Sequence, residues 1–191
     1  MEFSAIRLYL LAGLVLHKAV WEILKRSGPR VERKAGISLK SRILSLVKIV
    51  ILAGIILQTL VPEIAPISGD PQTLRAIGIG IYTAGLLMAI MARVQLGRNW
   101  SDIEKSRVRN DHALVAHGLY KLVRHPIYAG DLLLLLGLEM ALNSWAVAGV
   151  LALALYVRQK AAAEERVLAE TLPGYGEYCK RTARFLPFLP G

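Results

Sequence analysis

The sequence predicts an all-α polytopic membrane protein. Three observations carry that expectation. Of 191 residues, 54% are hydrophobic, and the mean hydropathy is +0.45. The apolar residues gather into stretches of about 18 to 25, the length a helix needs to cross a bilayer. Lys and Arg fall in alternate gaps between these stretches, as orientation signals do. The net charge of +10 (24 Lys+Arg against 14 Asp+Glu) fits nucleic-acid binding or basic cytoplasmic loops. The apolar content selects the loops, so no nucleic-acid partner is expected. A disordered chain, a collagen-like chain and a disulfide scaffold are excluded, the last because Cys179 is the single cysteine.

Each span can be justified in order. The first, 3–24, carries Arg7, His17, Lys18 and Glu22. It reads as a span rather than a signal peptide, since no small-residue cleavage site follows and its flank is strongly basic. The second, 43–61, has Lys48 as its only charge, and the third, 74–96, has Arg75 and Arg93 near its two ends. An unbroken helix over 131–157 would run about 40 Å, too long for a bilayer core of about 30 Å. The Asn143-Ser144 pair breaks it, which predicts a helical hairpin of 131–142 and 145–160. Together these give about five transmembrane helices. His17 and Glu139 are polar groups within spans and therefore candidate functional groups.

Charge orients the spans. Segment 25–42 has seven Lys or Arg, segment 97–130 has six and the tail 158–191 has six, while 62–73 has none and carries three prolines. The positive-inside rule places the three basic segments in the cytoplasm and the N-terminus outside. The chain divides into a three-helix membrane part, 1–96, and a second part, 97–191, in which the polar residues gather.

The polar chemistry concentrates in 95–131, a long segment between two spans, rich in aromatics and histidine. In Arg124-His125-Pro126-Ile127-Tyr128, the proline pushes His125 toward an extended backbone and suits the first turn of a helix. Arg124 and His125 then lie at a helix mouth, where backbone N–H groups and an arginine suit a carboxylate or phosphate. Glu164 and Glu165 follow the last span. Adjacent residues point about 100° apart on a helix, so one is expected to face inward and the other water. The sequence contains no metal-ligand spacing, no Gly-rich phosphate loop after a strand and no nucleophile elbow.

These residues fall into a longer pattern. It runs His112-x-Leu114-Val115-x-x-Gly118-x-Tyr120-x-x-x-Arg124-His125-Pro126-x-Tyr128-x-Gly130, then Glu164-Glu165-x-x-Leu168, and ends in a Tyr-containing tail with Arg-Phe-Leu-Pro. The pattern resembles the isoprenylcysteine carboxyl methyltransferase family over about 95–188, and Leu96-Gly97-x-Asn99-Trp100-Ser101 resembles its prokaryotic members. The resemblance implies an integral membrane enzyme that transfers a methyl group from S-adenosylmethionine, releasing S-adenosylhomocysteine, to a lipophilic acceptor such as an isoprenoid or a prenylcysteine-like carboxylate. It places His112, Leu114, Val115, Gly118, Tyr120, Arg124, His125, Pro126 and Tyr128 around the cofactor, with Glu164, Glu165, Tyr175 and Tyr178 closing the pocket from the tail. Catalytic roles fall to Glu165, Arg124 and Arg158. The last is the residue nearest to a family arginine that precedes the Glu pair and holds the acceptor carboxylate. The resemblance also makes 97–191 the catalytic part and a prokaryotic inner membrane the expected location; membrane lipids are the implied surroundings, and no metal is implied.

Two other activities share part of the pattern. A phospholipid N-methyltransferase resembles the same Arg-His-Pro-x-Tyr-x-Gly and Glu-Glu residues. An NADPH-dependent sterol-type reductase resembles the run through Tyr128-x-Gly130-Asp131, but Pro126 and the Glu164-Glu165 pair favour methyl transfer.

Overall fold

A computed structural model describes residues 3–26, 39–60, 66–99 and 113–187. Six α-helices account for most of them: α1 (Phe3–Arg26), α2 (Leu39–Leu60), α3 (Gln72–Leu96), α4 (Pro126–Ala141), α5 (Val147–Thr171) and α6 (Tyr175–Arg181). Short 3-10 turns occupy Gly97–Asn99 and Gly118–Lys121. Among the described residues there is no strand, only isolated bridges between Pro66 and Ser144 and between Val123 and Ala183.

The local signals place the helix ends. His125 sits at the N-cap of α4 with φ −123 and ψ 59, out of the helical region but short of the extended backbone expected before a proline, and Pro126 opens the helix. The hairpin break falls where Asn143-Ser144 predicts it. Asn143 has φ +55, a left-handed conformation that asparagine tolerates better than most residues. Its buried side chain also fastens the preceding loop. Oδ1 accepts from the Ile67 and Ser68 N–H groups at 3.1 and 3.0 Å, and Nδ2 donates to the Ser68 carbonyl at 2.9 Å.

The centre of the fold is the antiparallel pair α3 and α4. Gly78 and Gly85 of α3 alternate with Gly130 and Gly137 of α4, each glycine lying against the partner's backbone. A Cβ on Gly78 would strike Ala141, one on Gly85 would strike Leu134, one on Gly137 would strike Tyr82, and one on Gly130 would come within 2.6 Å of the Ala89 nitrogen. Small residues at helix seams let backbones approach this closely, and in lipid such packing stabilises helix pairs. Tyr82, Leu86, Leu134, Leu138 and Leu142 fill the core beside the seam, with Ile6 and Leu10 from α1. The Tyr82 hydroxyl crosses to α1 and donates to the Leu10 carbonyl at 2.6 Å, over Gly13. Near the hairpin tip, Gln58 of α2 donates to the Glu139 carboxylate at 2.7 Å and to the Ser144 hydroxyl at 2.9 Å. Glu139, a candidate functional group by sequence, is thus a tie between α2 and α4.

The outward faces are apolar. Leu8, Val15 and Ile23 of α1, Ile49 and Leu57 of α2, and Leu151 and Leu155 of α5 are all exposed. Apolar surface this extensive is unsuited to water and suited to lipid. By length and composition, Ser4–Arg26 and Gln72–Leu96 can cross a membrane, and α2 contributes the shorter apolar stretch Ile49–Leu60. The 16 residues of α4 span about 24 Å, less than the thickness of a bilayer core.

Candidate active site

The site forms where the end of α3, the start of α4, the second half of α5 and the tail converge. Its local construction begins at Gly118, whose φ of +58 few residues other than glycine adopt readily, and where a Cβ would also collide with Gln95. Gln95 accepts from the Leu119 N–H at 2.9 Å and so fixes the 3-10 turn to α3. Asn99 accepts from the Ala113 N–H at 2.9 Å and brings 113–115 beside the same helix end. The tail then docks alongside 123–125. The Arg124 N–H donates to the Ala183 carbonyl at 2.8 Å, and that of His125 to the Arg184 carbonyl at 3.1 Å.

Glu165 fastens these pieces together. Its carboxylate accepts from Arg124 Nε at 2.8 Å, from Arg184 Nη2 at 2.8 Å and Nε at 3.1 Å, and lies 3.0 Å from His125 Nε2. Arg124 also donates from Nη1 to the carbonyls of Cys179 (2.9 Å) and Thr182. Burial opposes charge on Glu165, but hydrogen bonds from His125, Arg184 and Arg124 outweigh it and hold the carboxyl well below the usual carboxylate range. A carboxyl depressed on folding contributes stability in full above its unfolded pKa of about 4.3, and loses it as pH falls toward the folded value. The thermal midpoint of the purified protein is therefore expected to fall on acidification below about pH 4.5, more steeply than that of Glu165→Gln; parallel slopes would contradict the assignment.

Aromatic rings line the other side. His125 stacks on Tyr128 (centroids 5.5 Å apart, 16° between planes), with Phe185 5.8 Å away from it. The Tyr128 hydroxyl donates to Glu164 at 2.9 Å, and Lys160 Nζ stands 5.7 Å from the Tyr128 ring centre. Tyr178 donates to the Tyr120 carbonyl at 2.7 Å. Burial pushes the phenols of Tyr120, Tyr175 and Tyr178 above their ordinary value, so they stay protonated.

Between these walls lies an open-mouthed cavity of about 140 Å³. Of the residues singled out from sequence, Leu114, Val115, Tyr120, Arg124, His125, Tyr128, Glu164, Tyr175 and Tyr178 line it. Gly118 is packed on Gln95, Pro126 is buried at the α4 start, and Glu165 anchors the wall. Arg158 is exposed, about two turns before Glu165 on α5, and is not part of the lining. His112 lies outside the described residues. The Glu pair differs from the simple helical expectation, because both acids find polar partners. The start of α4 and the tail flank α5 on two sides, so Glu164 meets Tyr128 and Glu165 meets the cations. Sequence reasoning did not assign Leu96, Asn99, Ile127, Leu168 and Leu172 to the lining, nor Arg184 and Phe185 to the wall. For Arg184 the available signal was the excess of acids over fixed cations among the motif residues, Glu164 and Glu165 against Arg124.

Comparison with known proteins places this architecture. Residues 77–170 match the model of the isoprenylcysteine carboxyl methyltransferase (ICMT) family. The cobalt-zinc-cadmium resistance protein CzcN of Cupriavidus metallidurans is 40% identical over 111 residues, covering 57% of this chain and 50% of that protein. The protein-S-isoprenylcysteine O-methyltransferase of Schizosaccharomyces pombe is 31% identical over 115 residues, 59% of this chain and 49% of that one. The chain thus spans about half the length of these curated relatives. A solved structure of the eukaryotic intramembrane Ras methyltransferase ICMT shares the fold, with a TM-score of 0.67 at 18% identity, covering all of this chain and 70% of that one. Arg124, His125, Tyr128, Glu164 and Glu165 all fall inside the matched segment, and it is over residues 77–170 that the chain is similar to the isoprenylcysteine carboxyl methyltransferase family.

Proposed function

We propose that the protein is a membrane methyltransferase that uses S-adenosylmethionine and a lipophilic acceptor. The observation that carries this reading is the cavity itself, which combines tyrosine rings, apolar side chains and one carboxylate, Glu164. That set fits a cation with an apolar body. Aromatic faces attract a sulfonium, and a carboxylate suits an ammonium. The relatives named as isoprenylcysteine methyltransferases support the same class. S-adenosylmethionine, when bound, supplies a methyl group on a sulfonium whose departure leaves a neutral thioether, so no acid is needed.

The chain's own residues do the rest by alignment. Glu164 and Tyr128 orient a cation. Leu114, Val115, Leu168 and Leu172 exclude water from around it. Arg124, His125 and Arg184, through Glu165, hold the tail and with it Tyr175 and Tyr178. The 1–96 part serves as membrane framework and 97–191 as the chemical part, with five crossings in a prokaryotic inner membrane, the N-terminus outside and the cavity on the cytoplasmic side. The basic segments 25–42, 97–130 and 158–191 support that orientation.

Calorimetric titration of the detergent-purified protein with S-adenosylhomocysteine, with NADPH in parallel, tests the class. Micromolar binding of the first and none of the second is expected. His125→Ala should weaken the first at least about tenfold, roughly 1.4 kcal/mol. Binding of NADPH alone would overturn the proposal in favour of a reductase.

A further inference from the structure

One polar pair remains outside the cavity wall. His17 of α1 places Nε2 3.0 Å from Oδ1 of Asp131 on α4. The imidazole stacks on Trp21 with ring centres 4.1 Å apart. Asp131 follows the cavity-lining residues Ile127 and Tyr128 by four and three positions, so it stands one helical turn from both on the same side of α4. The pair is reachable as well, since the two side chains are 22% and 38% exposed on an otherwise apolar flank.

The acidic and basic groups of the cavity are otherwise engaged. Glu165 carries donors from Arg124, Arg184 and His125, and a carboxylate so occupied is a poor proton acceptor. Glu164 accepts from Tyr128, and Lys160 stands over that ring. An imidazole whose Nε2–H is held by a carboxylate is different. With Nε2 oriented by Asp131, Nδ1 is the ring atom left to face a bound molecule.

Resting on the methyltransferase reading above, we propose that His17, oriented by Asp131, is the base for the methyl acceptor, and that the acceptor's nucleophile is an O–H or N–H group of a lipophilic molecule entering between α1 and α4. The balance is simple. The acceptor's lone pair forms the new O–CH3 or N–CH3 bond, and the S–CH3 bond breaks with its electrons staying on sulfur. The acceptor proton passes to His17 Nδ1. An already ionised carboxylate acceptor would give this pair no proton to receive.

The experiment offers the full-length detergent-purified protein labelled S-adenosylmethionine with three lipids: a prenylated phenol, phosphatidylethanolamine and an S-farnesylcysteine. The phenol and the amine separate oxygen from nitrogen, and the third carries the carboxylate. Transfer to the phenol or the amine is expected. His17→Gln should slow it at least about 100-fold, as loss of a general base does, while S-adenosylhomocysteine affinity stays within about twofold. Added imidazole should restore part of the rate to His17→Ala. Transfer only to the carboxylate lipid, or no transfer at all by a parent protein that binds S-adenosylhomocysteine, overturns the proposal. So does His17→Gln transferring at the parent rate, or losing cofactor affinity and rate in equal measure, which marks a mere tie between helices. Failure of the parent to bind S-adenosylhomocysteine would instead remove the methyltransferase reading.

Discussion

Glu165→Ala is expected to lose about 3–5 kcal/mol of stability, because it leaves Arg124 buried without its counter-charge and His125 without its hydrogen-bond partner. For a chain of this size that is a fall in thermal midpoint on the order of 10 °C, measurable by fluorescence in detergent. S-adenosylhomocysteine affinity should fall with it, since the tail that carries Tyr175 and Tyr178 is released. The neighbouring substitution should behave differently. Glu164→Ala removes one hydrogen bond from Tyr128, worth about 1 kcal/mol, and leaves the tail in place. Its midpoint should move little while cofactor affinity drops. Equal midpoints for the two variants would contradict the separation of an anchoring acid from a ligand-facing one.

The second large effect lies in the seam. Gly137→Leu would drive a side chain into the backbone of α3 at Tyr82, where no rotamer change can make room. Overpacking commonly costs about 1–3 kcal/mol when side chains can yield, and more when they cannot. Here the two helices would have to part, emptying the contacts of Tyr82, Leu134 and Leu138. The expected result is loss of the monodisperse peak in size-exclusion chromatography. Gly80→Leu on α3 is the control, because nothing lies within 4 Å of its added Cβ and it faces outward. If both variants run as the parent does, the close approach of α3 and α4 is refuted.

What the sequence disclosed was local. Pro126 marks the start of α4, Asn143 marks the turn of the hairpin, and both work through the backbone of their immediate neighbours. The Arg124-His125-Pro126-x-Tyr128 run and the Glu pair pointed to four of the lining residues, Arg124, His125, Tyr128 and Glu164, because they stand close together in two short stretches. What stayed hidden depends on distant partners. Arg184 reads as a tail charge until the tail folds back on 123–125. His17 and Asp131 stand 114 positions apart, and neither alone announces a pair. The glycines of α3 and α4 are visible in the sequence, but which backbone each one faces is decided by the register between the helices. Arg158 illustrates the opposite case, in which closeness in sequence to the Glu pair does not bring a side chain to the cavity.

The docked tail has a consequence for synthesis. Ribosomes add about 5–20 residues per second, so Arg184, 19 positions beyond Glu165, is joined to the chain about 1–4 s after it. Until then Glu165 lacks Arg184, and Ala183 is not yet present to receive the Arg124 N–H. The wall of the cavity therefore closes only after the tail through Arg184 has been made. A nascent chain still held by its translocation machinery keeps an open cleft, and a chain broken off before Thr182 keeps one permanently. Synthesis of the segment through Arg184 becomes a condition for closing the cavity wall, built into the order in which the partners of a single carboxylate are made.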